Sequence, residues 1–394
     1  MSKTVSFGLL LLLASIIAIT PLAIDMYLPA MPVMANELGT DIAIIQQSLS
    51  IYLAAYGVGM LLFGPLADTI GRRPLAIGGL CFFSLASFAL AFCQDAQWLL
   101  VLRALQAFSG SAATVVVPGI IRALYKENTA KGMSYVSMIM MMAPLIAPAI
   151  GSAVLWIGHW QHIFLVLAFY SAFILLLTWR FLPDPVPVAK GRQLEFLSGY
   201  RFVFAHVAAR PQIATSMFAS FSFFCFLTAV PFVYIEYYGV NEQVFSLLFA
   251  LNVGMLMLAN FCNSRLVSRF GPQRMLNIGL MSALCSAVVL CLANLFELGL
   301  VFTVLSIAPL MASLGLIATN ADAMVLMRFP EHSGTATAVI GTLRFGSGAL
   351  AGPLLAMAYT GTALPFSLLM FCGVLAITIS QYLGALQKRS GKNA

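Results

Sequence analysis

Gly64-Pro65-Leu66-Ala67-Asp68-Thr69-Ile70-Gly71-Arg72-Arg73-Pro74 is a charged, turn-rich stretch set between two long apolar runs. Only 8% of the chain is charged, so three charges, two Gly and two Pro within eleven positions mark a loop. Gly and Pro end helices, Asp caps the helix that follows, and paired Arg hold a loop on one side of a bilayer. A weaker copy lies 200 positions further on: Ser264, Leu266, Ser268, Gly271 and Pro272-Gln273-Arg274 match Gly64, Leu66, Asp68, Gly71 and Arg72-Arg73-Pro74. The shared Leu and Gly gain weight from their equal placement between apolar runs, which points to a chain of two repeated halves.

Composition agrees with a membrane protein. Hydrophobic residues make up 61% of the chain and mean hydropathy is +0.97, against roughly 45–50% apolar residues in a soluble domain. The apolar runs are continuous, which excludes the short alternating strands of a β-barrel. A net charge of +7 comes without a basic, aromatic-interleaved helix, so no nucleic-acid partner is expected and the excess is assigned to cytoplasmic loops. The seven Cys lie in or near apolar runs, without CxxC spacing, and the four His are scattered. No metal site, cofactor or catalytic nucleophile–base set is expected, and an enzyme is the least favoured class. Phe7 to Ile24 lacks a cleavage site and runs into Pro21–Pro29, so it is read as a first spanning helix and not as a signal peptide.

Charge and Gly/Pro clusters divide the chain into about twelve runs near the ~20 residues that cross a bilayer. They cover roughly 7–31, 43–65, 75–93, 98–122, 133–157, 160–182, 213–236, 243–264, 275–293, 298–325, 333–357 and 364–386. With a cytoplasmic N-terminus, Arg72, Arg73, Lys126, Lys131, Arg180, Lys190, Arg192, Arg201, Arg210, Arg265, Arg269, Arg274 and Arg328 all fall on inner connections. The outer connections carry Glu37, Asp41, Asp95, Glu236, Glu242 and Glu297 and no Lys or Arg. This places both termini inside. The expected organisation is a six-helix half over 1–182, a cytoplasmic linker over 183–211 and a second six-helix half over 212–394.

Removing loop charges leaves Asp25, Arg103, Asp322 and Arg344 inside spans, with Arg122 at an inner boundary. Each buried charge costs on the order of 2.5–3.5 kcal/mol and needs a partner or a wet cavity. Asp25 lies ~12 Å and Arg103 ~8–9 Å below the outer ends of their spans, depths that suit a pair. Arg103, Ala107, Gly110, Thr114 and Ile121 share a helix face with Gln106 beside it. That small, polar face suits either a structural ion pair with close helix packing or, the reading favoured here, the wall of a wet pathway. Arg344 shares its face with Thr337, Gly341, Gly348 and Ala351. Asp322 lies nearer the inner end of its span, where Arg344, Arg328 and cytoplasmic water are all open to it. Pro144, Pro148 and Gly151 concentrate helix-bending residues on span five.

These residues bring a family into view. Gly64, Leu66, Ala67, Asp68, Gly71, Arg72 and Arg73 resemble the loop signature of the major facilitator superfamily, with Thr69 in place of the usual basic residue. Arg103 and Gln106 partly meet its span-four pattern, with Ala107 where Gly is usual. Ala147-Pro148-Ala-Ile-Gly151-Ser152 is similar to the span-five motif of the drug:proton antiporters. Ile24-Asp25-Met26-Tyr27-Leu28-Pro29-Ala30-Met31-Pro32, Pro231-Phe-Val-Tyr-Ile-Glu236 and Leu343-Arg344-Phe345-Gly346 resemble the bicyclomycin/chloramphenicol-resistance (Bcr/CflA) family.

The resemblance implies an all-α, twelve-helix protein of two pseudo-symmetric bundles in a bacterial inner membrane, whose halves rock about a central cavity. It implies proton-driven efflux of small-molecule drugs, with the proton as coupling ion and no other cofactor. Lipid surrounds the chain, and a monomer is expected. Asp25 and Arg103 are the expected proton-coupling pair, since burial disfavours an ionised carboxyl and a nearby guanidinium favours it. Tyr27, Gln106, Asn252, Asp322 and Arg344 are the expected polar contacts of the substrate cavity, with Tyr52, Tyr56, Phe224, Met138 and Met141 as apolar wall. Gly64, Asp68, Gly71, Arg72, Arg73 and Arg122 form the expected cytoplasmic gate, in which Asp68 latches neighbouring helix ends. A proton symporter or exporter of a small metabolite such as an amino acid, dipeptide or sugar is the alternative, and a non-transporting receptor is less favoured.

Overall fold

The computed structural model describes residues 7–125, 132–133, 136, 139–140, 142–183, 201, 203, 205–329 and 333–389. Met138, Met141, most of the expected linker and several loop cations lie outside them. Among the described residues, eleven helices are long and apolar enough to cross a membrane, and Met142–Ile157 is a shorter apolar helix at the place of the fifth span. Among the described residues there is no strand. The chain divides into two compact units, Met1–Leu194 and Glu195–Ala394.

In the first unit α1 (Phe7–Asp25) stops early and gives way to a 3₁₀ turn at Leu28–Ala30 and to α2 (Met31–Glu37). Pro29 and Pro32 lack the N–H groups needed to continue α1, which explains the break. It is followed by α3 (Ile42–Ile70), α4 (Arg72–Leu90), α5 (Ala96–Thr114), α6 (Val117–Tyr125), α7 (Met142–Ile157) and α8 (Gln161–Phe181). Asp95 caps α5 by accepting from the N–H groups of Gln97 and Trp98 at 2.8 and 2.9 Å. Tyr170 of α8 donates to the Ser15 carbonyl of α1 at 3.0 Å, and Ser84 of α4 donates to Ser171 of α8 at 2.8 Å.

The second unit contains α9 (Arg210–Pro231), a π-helical turn (Phe232–Tyr237), α10 (Glu242–Phe270), α11 (Pro272–Leu295), α12 (Leu300–Arg328), α13 (Ser333–Ala349), α14 (Ala351–Met357) and α15 (Leu364–Arg389). Arg201, Val203 and Ala205 are already helical, and a 3₁₀ turn at Val207–Ala209 leads into α9, before the boundary expected at 212. The repeat read from the loop is present in the backbone. Both α3 and α10 run for 29 residues, and each ends at a left-handed glycine, Gly71 (φ 97°) and Gly271 (φ 78°). An L-residue pays a steric penalty in that conformation, so glycine is the residue that turns the chain into the next helix there.

Candidate functional site

The break in α1 creates the site of the first unit. Where a helix ends, its last carbonyls lose their N–H partners and carry partial negative charge. Arg103, fully buried on α5, donates Nη1–H to the Ala23 carbonyl at 3.0 Å. The same nitrogen donates to Gln106 Oε1 at 2.7 Å, and Gln106 Nε2 donates to Ser87 of α4 at 2.8 Å. The guanidinium carbon lies 4.2 Å from the Tyr27 ring centroid, 4.4 Å from that of Tyr52 and 5.9 Å from that of Phe164. Each ring face contributes roughly 0.5–2 kcal/mol and each charge-assisted bond roughly 1.5–3 kcal/mol. Together they are large enough to offset the roughly 2.5–3.5 kcal/mol cost of a mid-membrane charge.

Asp25, the last residue of α1, is 4% exposed, and no ion pair joins it to Arg103. The equal depths of the two residues led to the expectation of a pair. Depth fixes only position along the helices, and Arg103 is engaged by a carbonyl two residues before Asp25. Arg103 Nε and Nη2 are buried and have no partner, as are the Tyr52 hydroxyl and Thr20 Oγ1.

The small face around Arg103 is also filled from within the bundle. A Cβ on Gly110 meets the Phe83 ring at 3.0 Å and Ile19 at 3.9 Å. Ala107 and Ile121 are fully buried, and Thr114 pairs with the Tyr56 hydroxyl at 2.7 Å. Those small residues admit neighbouring helices, so the room expected for a ligand along this face is occupied by side chains. Gln106, expected as a cavity contact, is fully buried and is a structural link between Arg103 and Ser87.

The second unit does hold an ion pair. Arg344 Nη2 of α13 meets Asp322 Oδ2 of α12 at 2.5 Å, with side chains 34% and 25% exposed. Ser216 of α9 donates to Asp322 Oδ1, and Arg344 Nε donates to Ser220 of the same helix at 3.1 Å. Three helices thus meet in one charged network. Ser216 and Ser220 were not singled out from sequence, although their four-residue spacing puts both on one face of an apolar helix. Gly348, on the face shared with Arg344, lies in close contact with the Phe224 ring. Asn252, fully buried on α10, donates Nδ2–H to the Tyr234 hydroxyl at 3.3 Å, and its Oδ1 is unpartnered. Tyr234 reaches it from the π-helical turn that follows Pro231.

At the Gly71 end, Arg72 donates to the Gly119 carbonyl of α6 at 2.8 Å and Arg73 to the Trp179 carbonyl in the last turn of α8. Both cations tie α4 to carbonyls of neighbouring helices, and Arg73 does so at the C-terminus of α8, a favourable place for positive charge. Gly64 lies inside α3, the Asp68 side chain is outside the described residues, and Arg122 is exposed on α6. Pro144, Pro148 and Gly151 all lie in α7. Gly151 packs against the α1 break itself: a Cβ there collides with the Met26 carbonyl oxygen and comes within 3.2 Å of Pro29 Cγ.

A bundle of membrane-length helices in two repeated units, with charged side chains inside the spans of each, defines a multi-pass transport protein. The chain belongs to the Major Facilitator Superfamily, whose model matches residues 13–353. It is 31% identical to the bicyclomycin resistance protein homolog of Haemophilus influenzae over 96% of both chains. It is 32% identical to a chloramphenicol resistance protein of Pseudomonas aeruginosa over 84% of this chain and 79% of that one. Multidrug resistance protein D of Escherichia coli is 25% identical over 96% of each chain. Among solved structures, the nucleoside transporter NupG superposes with a TM-score of 0.74 at 13% identity, covering 97% of this chain and 99% of that one. The xylose transporter XylE from E. coli gives 0.73 at 14% identity, covering 96% and 98%. At such identities these two likenesses establish the fold alone.

Proposed function

We propose that this chain exports small-molecule drugs, of the phenicol or bicyclomycin kind among other toxic compounds, in exchange for protons by alternating access. It does so as a monomer in the lipid bilayer of a bacterial inner membrane, with both termini cytoplasmic and the proton as its coupling ion. Resistance proteins among its relatives support the substrate class. The observation that carries the proton is Asp25: a nearly buried carboxyl in a membrane helix, without an ion-pair partner. A carboxylate is costly in such surroundings, and a bound proton removes that cost. Asp25 holds the proton at its carboxyl oxygen, and the unpartnered Nε–Nη2 edge of Arg103 receives the carboxylate when the proton leaves. A drug that favours the ionised arrangement then couples its own movement to proton release.

The test is Asp25→Asn in everted vesicles. The variant is expected to insert normally and to lose drug-driven proton release. Release at the rate of the unaltered protein would sink the assignment. Transport of an amino acid, dipeptide or sugar in place of any drug would instead favour a metabolite carrier.

A further inference from the structure

Arg103 is a buried cation with no carboxylate as partner, and the groups that hold it are a helix carbonyl, one amide and aromatic rings. We propose that Tyr27 and Tyr52 are positioning residues for proton exchange: their ring faces hold the Arg103 guanidinium in place at the α1 break that carries Asp25, without neutralising its charge. This rests on the proton-exchange reading and adds to it the residues through which Arg103 acts.

The rings are themselves held. The Tyr27 hydroxyl pairs with Ser48 at 3.2 Å, and Ser48 donates to the Ile45 carbonyl at 2.6 Å. Tyr52 stacks on Tyr56 with centroids 6.4 Å apart and planes 10° from parallel. Tyr56 is fastened by its hydroxyl to Thr114 at 2.7 Å, on the same helix that carries Arg103. Both Tyr27 and Tyr52 are fully buried, so water does not screen the ring–cation attraction. A planar guanidinium has two faces and a set of N–H edges. Rings approach the guanidinium carbon, and Nη1 serves Ala23 and Gln106. The Nε–Nη2 edge remains unpartnered, and this is the edge on which a carboxylate seats with two parallel bonds. An ionic partner in the place of the rings would hold Arg103 equally well but would compete with Asp25 for it. An aromatic partner does not.

The attraction depends on electron density at the ring face, so it can be graded without changing ring shape. Tyr52 is replaced by Phe and then by Phe bearing one, two and three fluorines, introduced by nonsense suppression. Drug-driven proton release is measured in everted vesicles and normalised to inserted protein. The Tyr52→Phe protein is expected to keep at least about half of the original rate, with a stepwise fall across the fluorinated series to tenfold or more at three fluorines. Tyr52→Leu is expected to fall at least as far. A flat series, or loss of activity already at Tyr52→Phe, overturns the proposal. If the most fluorinated protein fails to insert, the same series at Tyr27 decides in the same way. Asp25→Asn is run alongside: if it releases protons normally, the proton reading fails as well. If it is inactive while the fluorinated series is flat, only the tyrosine role fails.

Discussion

Arg103 and Arg344 are both guanidinium groups inside helical bundles, and the protein satisfies them by different means. Arg344 meets Asp322 directly, with Ser216 and Ser220 bridging, and both charged side chains stay partly exposed. Arg103 is fully enclosed, and its charge is spread over the end of α1, Gln106 and two tyrosine rings. The difference follows from what each arrangement leaves unbound. The pair in the second unit is closed: both Asp322 oxygens have partners. In the first unit the carboxyl of Asp25 is left out and one edge of Arg103 stays open. A closed pair holds helices together, whereas the open carboxyl of Asp25 is the group to which the proposed exchange assigns the proton.

The sharpest way to break this contrast is to remove each charge in turn. Arg103→Met is expected to lower drug–proton exchange by about 100-fold, equivalent to ~2.7 kcal/mol. Arg344→Met, at the partly exposed site, is expected to cost about tenfold in the same vesicle assay. Equal losses would erase the distinction between the sites. The glycines beside them come next. Gly151→Val drives a side chain into the Met26 carbonyl, which cannot move without shifting the α1 break. A loss of about 1–3 kcal/mol is expected, read as a lower melting temperature in detergent. Gly348→Ala brings its Cβ against the Phe224 side chain and not against backbone, and should lose less.

Exchange of partners tests pairing itself. Asp322→Arg with Arg344→Asp should recover about 1–2 kcal/mol of the stability lost by the two single changes, measured as a double-mutant cycle. The same exchange of Asp25 and Arg103 should recover nothing, because no ion pair is there to restore. The smallest effect is expected for Ser216→Ala, at about 0.6 kcal/mol and no more than ~1.7, the range of single hydrogen bonds between membrane helices.

Much of the architecture was legible in the chain. Run length gave the spans, and the Gly64–Pro74 stretch and its weaker copy gave the two halves; the stretch read as a loop is helical up to Ile70 and again from Arg72, so the turn is made at Gly71, as at Gly271 in the copy. The buried charges were legible as residues but not as partners. Depth along a helix can be counted from sequence, whereas the direction in which Arg103 leaves α5 depends on where α1 breaks and presents the Ala23 carbonyl. Aromatic partners are hidden for another reason: in a chain with 30 Phe and 12 Tyr, nothing marks Tyr27 and Tyr52 as the rings that meet a cation. Ser216 and Ser220 are equally inconspicuous until Asp322 and Arg344 are brought to them. Small residues misled in the opposite direction, since Gly110, on the face read as leaving room beside Arg103, accommodates a phenyl ring.

The equal lengths of α3 and α10 reach beyond topology. Subtracting 200 from a position in α10 gives its counterpart in α3, which turns the chain into a ruled ledger with two columns. Asp41 and Asn241 stand at the same N-cap, and Tyr52 and Asn252 share a row, each fully buried with an unpartnered oxygen. Backbone register has been kept while the side-chain alphabet diverged. A one-residue insertion in either helix would turn everything beyond it by about 100° and scramble the correspondence. Variation in this protein is therefore expected to arrive as substitutions within these helices, and length changes to collect in the connections between them.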